Sequence, residues 1–171
     1  NSNAGFWGTN AGIWTGQLFT RPTNPGDEVD ISFLGVQLPN AQQRLAFGLN
    51  SVNTAGGQST FALPDGDGVN DHLSYSFWLR PDNSFSGNWV RTKTVNNAAA
   101  ATAGSGEQLW NFGQTMDFMI QVTPNDVQWF TRTEPSSTWT LVQDPLGTGN
   151  ATAYDGTETG GRSTFGVFAM V

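Results

Sequence analysis

The chain has 171 residues, 14 acidic against 7 basic side chains, and no cysteine. That length supports a single domain, residues 1–171, with a core of its own, hiding roughly 70% of the surface its unfolded form exposes. The missing thiols exclude cysteine catalysis, zinc–thiolate sites and iron–sulfur clusters. Lys93 and the scattered arginines (Arg21, Arg44, Arg80, Arg91, Arg132, Arg162) make none of the concentrated basic faces that nucleic acid or an anionic membrane requires. No apolar run in the sequence approaches the ~18 residues of a membrane span, so no membrane insertion is expected. A chain that starts at Asn1 without an apolar leader reads as a processed product or an excised domain.

In chain order, the apolar residues recur with period two, the mark of half-buried strands. The first strand is expected at residues 13–20, IWTGQLFT. The second, at residues 28–37, EVDISFLGVQ, sends Val29, Ile31 and Phe33 one way and Asp30 and Ser32 the other. QRLAFGLN and STFAL follow. LSYSFWLR, residues 73–80, sets Leu73, Tyr75, Phe77 and Leu79 against Ser74, Ser76, Trp78 and Arg80. NWVRTKT and QLWNF come next. In MDFMIQV, Met116, Phe118, Ile120 and Val122 alternate with Asp117, Met119 and Gln121. DVQWFTRT, TWTLVQ and STFGVFAM complete about eleven strands, each bounded by Gly, Pro, Asn or Asp. NNAAAATAGSG, residues 96–106, lacks an apolar face and reads as a loop. Many short strands without helices imply an all-β fold of two packed antiparallel sheets, or a barrel.

The densest run of carboxylates is PDGDGVND, residues 64–71. Set against the calcium-loop pattern D-x-D-x-D-G, Asp65, Asp67 and Gly68 take the third, fifth and sixth places. The carbonyl of Val69 takes the seventh and Asp71 the ninth. Leu63 and Ser74 stand where the first and twelfth carboxylates belong, so calcium requires further oxygens from elsewhere in the fold. The phrase DGDGVND resembles one unit of the calcium-binding repeats of thrombospondin type 3. The other reading is an acidic hairpin turn, with Gly66 and Gly68 supplying positive φ. His72, the sole histidine, reads as an exposed or core side chain rather than a ligand.

In GDEVDISF, Glu28, Asp30 and Ser32 project from one strand face. The spacing resembles the E-x-D strand of retaining β-glucanases, whose first Glu is the nucleophile, whose Asp assists and whose last Glu is the acid. Glu28 and Asp30 match the first two; Ser32 or Phe33 stands where the acid belongs. Retaining hydrolysis needs two carboxyl groups about 5 Å apart, so this strand cannot supply the reaction alone. Asp30 meeting Asp117 through folding is one route by which a pair would form. A serine triad has only His72 as base, and neither a G-x-S-x-G elbow nor a phosphate loop occurs. No catalytic residue is assigned.

Seven tryptophans are the main functional signal. Trp78 shares its face with Ser74, Ser76 and Arg80, so either another layer covers that face or Trp78 is displayed. Trp89 neighbours Asn88 and Arg91. Trp7 and Trp14 lie in GFWGTNAGIW. Indole rings beside amides and guanidinium groups suit sugars, the ring stacking on the apolar side of a pyranose and the polar groups taking hydroxyls; core packing is the competing role for each ring.

DHLSYSFWLRPDNSFSGNWV, residues 71–90, resembles a strand pair of concanavalin A-like and laminin-G-like modules. MDFMIQVTPNDVQWF, residues 116–130, is similar to their later strand–turn–strand. The resemblance implies an antiparallel two-sheet jelly-roll sandwich used for carbohydrate or protein recognition, often with calcium at the rim. It implies Asp65, Asp67, Asn70 and Asp71 as calcium-loop residues; Trp78, Arg80, Asn88, Trp89 and Arg91, read from the residues themselves, are the candidate sugar-contacting set. Three functions follow: a secreted or surface-displayed lectin-like module without catalysis, assisted by calcium if the loop is complete; a structural or adhesive domain of a virion, phage tail or cell surface, which brings homo-oligomers with it; and a glycan-active enzyme of the β-glucanase fold. Asn150-Ala151-Thr152 is a glycosylation sequon if the host is eukaryotic.

Overall fold

A computed structural model describes residues 12–37, 45–51, 73–81, 86–95, 108–111, 113–133, 138–142, 151–153 and 164–170. Among these the ordered elements are strands: β1 Gly12–Thr20, β2 Val29–Gln37, β3 Leu45–Ser51, β4 Leu73–Pro81, β5 Ser86–Val95, β6 Gln108–Asn111, β7 Thr115–Val122, β8 Asp126–Thr133, β9 Thr140–Leu141, β10 Ala151–Ala153 and β11 Thr164–Met170. Each strand read from the sequence has its counterpart here except STFAL, which lies outside the described residues, as does the alanine-rich segment at 96–106. The short β10 was not expected, because three residues carry no readable period.

The strands form two antiparallel sheets. One has the order β1-β11-β3-β4-β5-β6; the other has the order β10-β8-β7-β2, with β9 added to β8. The sheets share one core. Tyr75, Phe77 and Leu79 of β4 and Phe47 and Leu49 of β3 are buried on the inner side of the first sheet, and Phe118, Ile120, Val122, Val127 and Trp129 are buried on the inner side of the second. Phe118 is the keystone, with its ring centroid 5.3 Å from that of Phe47 and 4.8 Å from that of Phe77. Tyr75 meets Trp129 edge-on at 6.0 Å, and Phe33 meets Phe47 at 4.7 Å. Each such side chain contributes about 1.5–3 kcal/mol through its removal from water.

Turn chemistry sets two of the registers that matter. Asn24-Pro25-Gly26-Asp27 leads into β2. Asp27 N–H donates to the Asn24 carbonyl at 3.2 Å, and Gly26 has φ 90°, the left-handed place after proline in a type II turn. Pro124 and Asn125 join β7 to β8. There Thr123 N–H donates to the Asp126 carbonyl at 2.9 Å, and the Thr123 hydroxyl donates to the Asp126 carboxylate at 2.8 Å. Counting back from this turn pairs Val122 with Val127, Ile120 with Trp129 and Asp117 with Arg132.

Two faces depart from simple alternation. On β7 the expected outward residues Asp117 and Met119 are as buried as their inward neighbours, 1% and 6% exposed. On β11, Phe168 occupies the position opposite to the core-facing Val167 and Ala169, yet it is fully buried. The outward face of the six-stranded sheet is therefore covered at Phe168, which pairs with Gly48 and, through it, with Ser76.

Candidate functional site

The outer face of the β10-β8-β7-β2 sheet carries the densest polar chemistry among the described residues. Register arranges it in three rows that cross the strands. The first row joins Asp117 to Arg132 by pairing and Arg132 to Trp139 by a ring contact, with Leu34 in the neighbouring bulge of β2; the second is Ser32, Met119, Phe130 and Leu141; the third is Asp30, Gln121 and Gln128.

The first row is tied together by one carboxylate. Between Phe33 and Val36 the pairing of β2 with β7 shifts register, and Gly35 sits at φ 68°. This bulge turns the Gly35 N–H toward β7, where it donates to Asp117 Oδ1 at 2.7 Å. Arg132 Nε donates to Asp117 Oδ2, also at 2.7 Å, with the side chains 22% and 2% exposed. The Arg132 guanidinium in turn lies 4.5 Å from the centroid of the Trp139 ring, within range of a cation–π attraction. A buried carboxylate is tolerable only when its charge is matched and its lone pairs are used. Asp117 meets both conditions, and its burial follows from that.

The third row is a ladder of amides and carboxylates. Gln121 Nε2 donates to Asp30 Oδ1 at 3.0 Å, and Gln128 Nε2 reaches Asp126 Oδ1 at 3.5 Å. Between the rows, Met119, Phe130 and Leu141 form an apolar strip. At the bulge, Leu34 is 64% exposed, an outlier among the large apolar side chains described.

The structure keeps the two candidate carboxylates of a hydrolase apart. Asp30 pairs with Gln121, whereas Asp117 lies four residues away along β7, held by Gly35 and Arg132. Four residues of strand span about 13 Å, beyond the separations of roughly 5–9.5 Å used by glycosidases. Glu28 is exposed just before β2. This pair does not assemble a site.

The sugar-contacting set named from the sequence falls on β4 and β5. The register sets Trp78 opposite Val90 and Arg80 opposite Asn88. It sets Trp89 opposite Leu79, and Arg91 opposite Phe77; Leu79 and Phe77 are core residues. The five residues are thus divided between two alternating sets of positions. Asp65, Asp67, Asn70, Asp71 and His72 lie outside the described residues. Among the described residues no group of three or more His, Asp or Glu side chains is placed to hold a metal ion.

Asp117, Arg132 and Trp139 were not singled out as a group from the sequence. A signal was present: a two-residue turn at Pro124-Asn125 fixes the pairing of Asp117 with Arg132, and opposite charges facing each other across strands attract. Comparison of the chain with protein-family models, with curated proteins and with solved structures found no match.

Proposed function

We propose that this protein is a non-catalytic, carbohydrate-binding module with the jelly-roll architecture of concanavalin A-like domains, acting outside the cell or on a surface. The observation that carries the reading is the outer face of the second sheet, where an indole stacked on a guanidinium shares a surface with a ladder of amides and carboxylates. Sugar recognition uses these groups in combination: an aromatic plane for the apolar side of the ring, and planar donors and acceptors for the hydroxyls. Trp78, Arg80 and Asn88, which share one set of register positions, belong to the same proposal as a second contact region; Trp89 and Arg91 belong to it from the alternate positions of β5. Calcium enters through Asp65, Asp67, Asn70 and Asp71, completed by oxygens from other loops.

The test is a glycan and polysaccharide array probed with the purified protein, once with calcium and once with EGTA. Saturable binding is expected. Loss in EGTA assigns the calcium loop a working role; binding unchanged in EGTA makes PDGDGVND a turn. A second reading, an adhesive or structural domain, is favoured by the exposure of Leu34 on β2, the strand at the end of its sheet order. A blank array together with a stable oligomer by light scattering replaces the first reading with the second.

A further inference from the structure

Resting on the glycan reading, we infer that the outer face of the β10-β8-β7-β2 sheet takes a neutral polysaccharide chain, free of carboxylate and sulfate groups. In this arrangement a sugar stacks on Trp139, and Asp117 is the positioning residue that holds and neutralises Arg132.

The argument is one of charge placement. Arg132 is the one cation among the described side chains of this face, and it is already matched: Asp117 takes its Nε–H at 2.7 Å, and the Trp139 ring lies 4.5 Å below the guanidinium. An acidic sugar seeking Arg132 would have to compete with a carboxylate that is 2% exposed and fixed from its other side by the Gly35 N–H. At the opposite end of the face the charge is negative. Asp30 is exposed on β2, and Asp126 sits at the start of β8, its carboxylate bound to the Thr123 hydroxyl. Asp30 and Arg132 lie about four residues apart along the strand direction, roughly 13 Å, which exceeds the screening length of about 8 Å at physiological salt. Arg132 therefore does not cancel Asp30 for a ligand lying over the third row. The whole chain carries a formal charge of −7, so the longer-range field also repels anions.

Hydroxyl groups meet no such penalty. Gln121 and Gln128 each present an amide with donor and acceptor capacity, and Asp30 keeps acceptor positions beyond the one that Gln121 uses. The apolar strip between this ladder and Trp139 is presented by the half-buried Phe130 and Leu141, with Met119 buried beside them. A pyranose chain has the same composition, with apolar ring faces bordered by uncharged hydroxyls. The sugar at the first row is placed against the half-buried Trp139 indole, beside the guanidinium that lies over its ring. From β2 to β9 the face is three strand spacings wide, about 14 Å, which admits several sugar units of one chain.

The test is affinity electrophoresis of the intact protein in native gels containing soluble polysaccharides. Neutral probes are mannan, mixed-linkage β-glucan and arabinoxylan; acidic probes are polygalacturonate, alginate and heparin. Retardation by at least one neutral probe and by no acidic one is expected. In solution the same affinity should stay constant between about 0.01 M and 1 M salt, a range over which screening lengths fall from about 30 Å to about 3 Å. Trp139→Ala should weaken it at least tenfold while the melting profile is retained. Asp117→Asn frees the Arg132 charge, so retardation by polygalacturonate should appear and should fade with salt, a change of selectivity that loss of structure does not produce. Stronger retardation of the wild-type protein by acidic than by neutral probes overturns this inference and leaves the glycan reading standing. Neutral retardation that survives Trp139→Ala overturns the placement on this face. Retardation by none of the probes removes the glycan reading and the inference with it.

Discussion

The ion pair between Asp117 and Arg132 is where the structure makes its sharpest energetic statement. Truncating Asp117 to Ala removes two acceptors at once. The Gly35 N–H loses its partner in a part-buried setting, at a cost of about 1–3 kcal/mol, and the charge-assisted bond to Arg132 is worth about 1.5–3 kcal/mol. Breaking a fully buried pair costs about 3–5 kcal/mol. Arg132 keeps 22% of its side-chain surface and recovers part of its hydration, so the expected loss is at the lower end, about 3 kcal/mol. Arg132→Met, which keeps packing on Trp139, should cost about 2 kcal/mol. The double variant should be less destabilised than the sum, leaving a coupling of about 1.5 kcal/mol. For a protein whose total stability is about 5–15 kcal/mol, each effect is measurable by urea unfolding followed through tryptophan fluorescence, provided the slope with denaturant stays constant. A coupling below about 0.5 kcal/mol, within the additivity of independent sites, would refute the view that this row acts as a unit.

Other expectations use the same assay. Phe118→Ala empties the contact between the sheets and should cost about 3–5 kcal/mol; a loss under 1.5 kcal/mol, about what a tolerated volume-conserving swap costs, would deny Phe118 its place as keystone. Leu34→Ser, at a side chain 64% exposed, should move stability by no more than about 0.5 kcal/mol, and a larger loss would show that Leu34 is packed in solution. Gly35→Ala puts a Cβ in open space but on a backbone with φ 68°, so the cost should be the conformational one, about 1–2 kcal/mol, and smaller for Gly35→Asn. Equal costs for the two would mean that the bulge relaxes on substitution.

The strands were legible because alternation is local. Tyr75, Phe77 and Leu79 are inward, as are Val29, Ile31 and Phe33, and the period of two that assigns them depends only on the pleat. The Pro-Gly turn before β2 and the Pro-Asn turn between β7 and β8 were equally local, and from the second the pairing of Asp117 with Arg132 follows by counting. The candidate face was not legible as a whole. Its rows need β2 beside β7, partners separated by some eighty residues in the chain, and no period records which distant strand becomes a neighbour. The bulge at Gly35 and the burial of Asp117 and Met119 depend on that neighbour as well. Composition and alternation were enough to place the described strands and, for most of them, the face turned to the core, because burial selects side chains position by position. Tertiary structure alone decided which outward residues of strands distant in the chain stand together, because their adjacency is a property of the sheet order and not of any single hairpin.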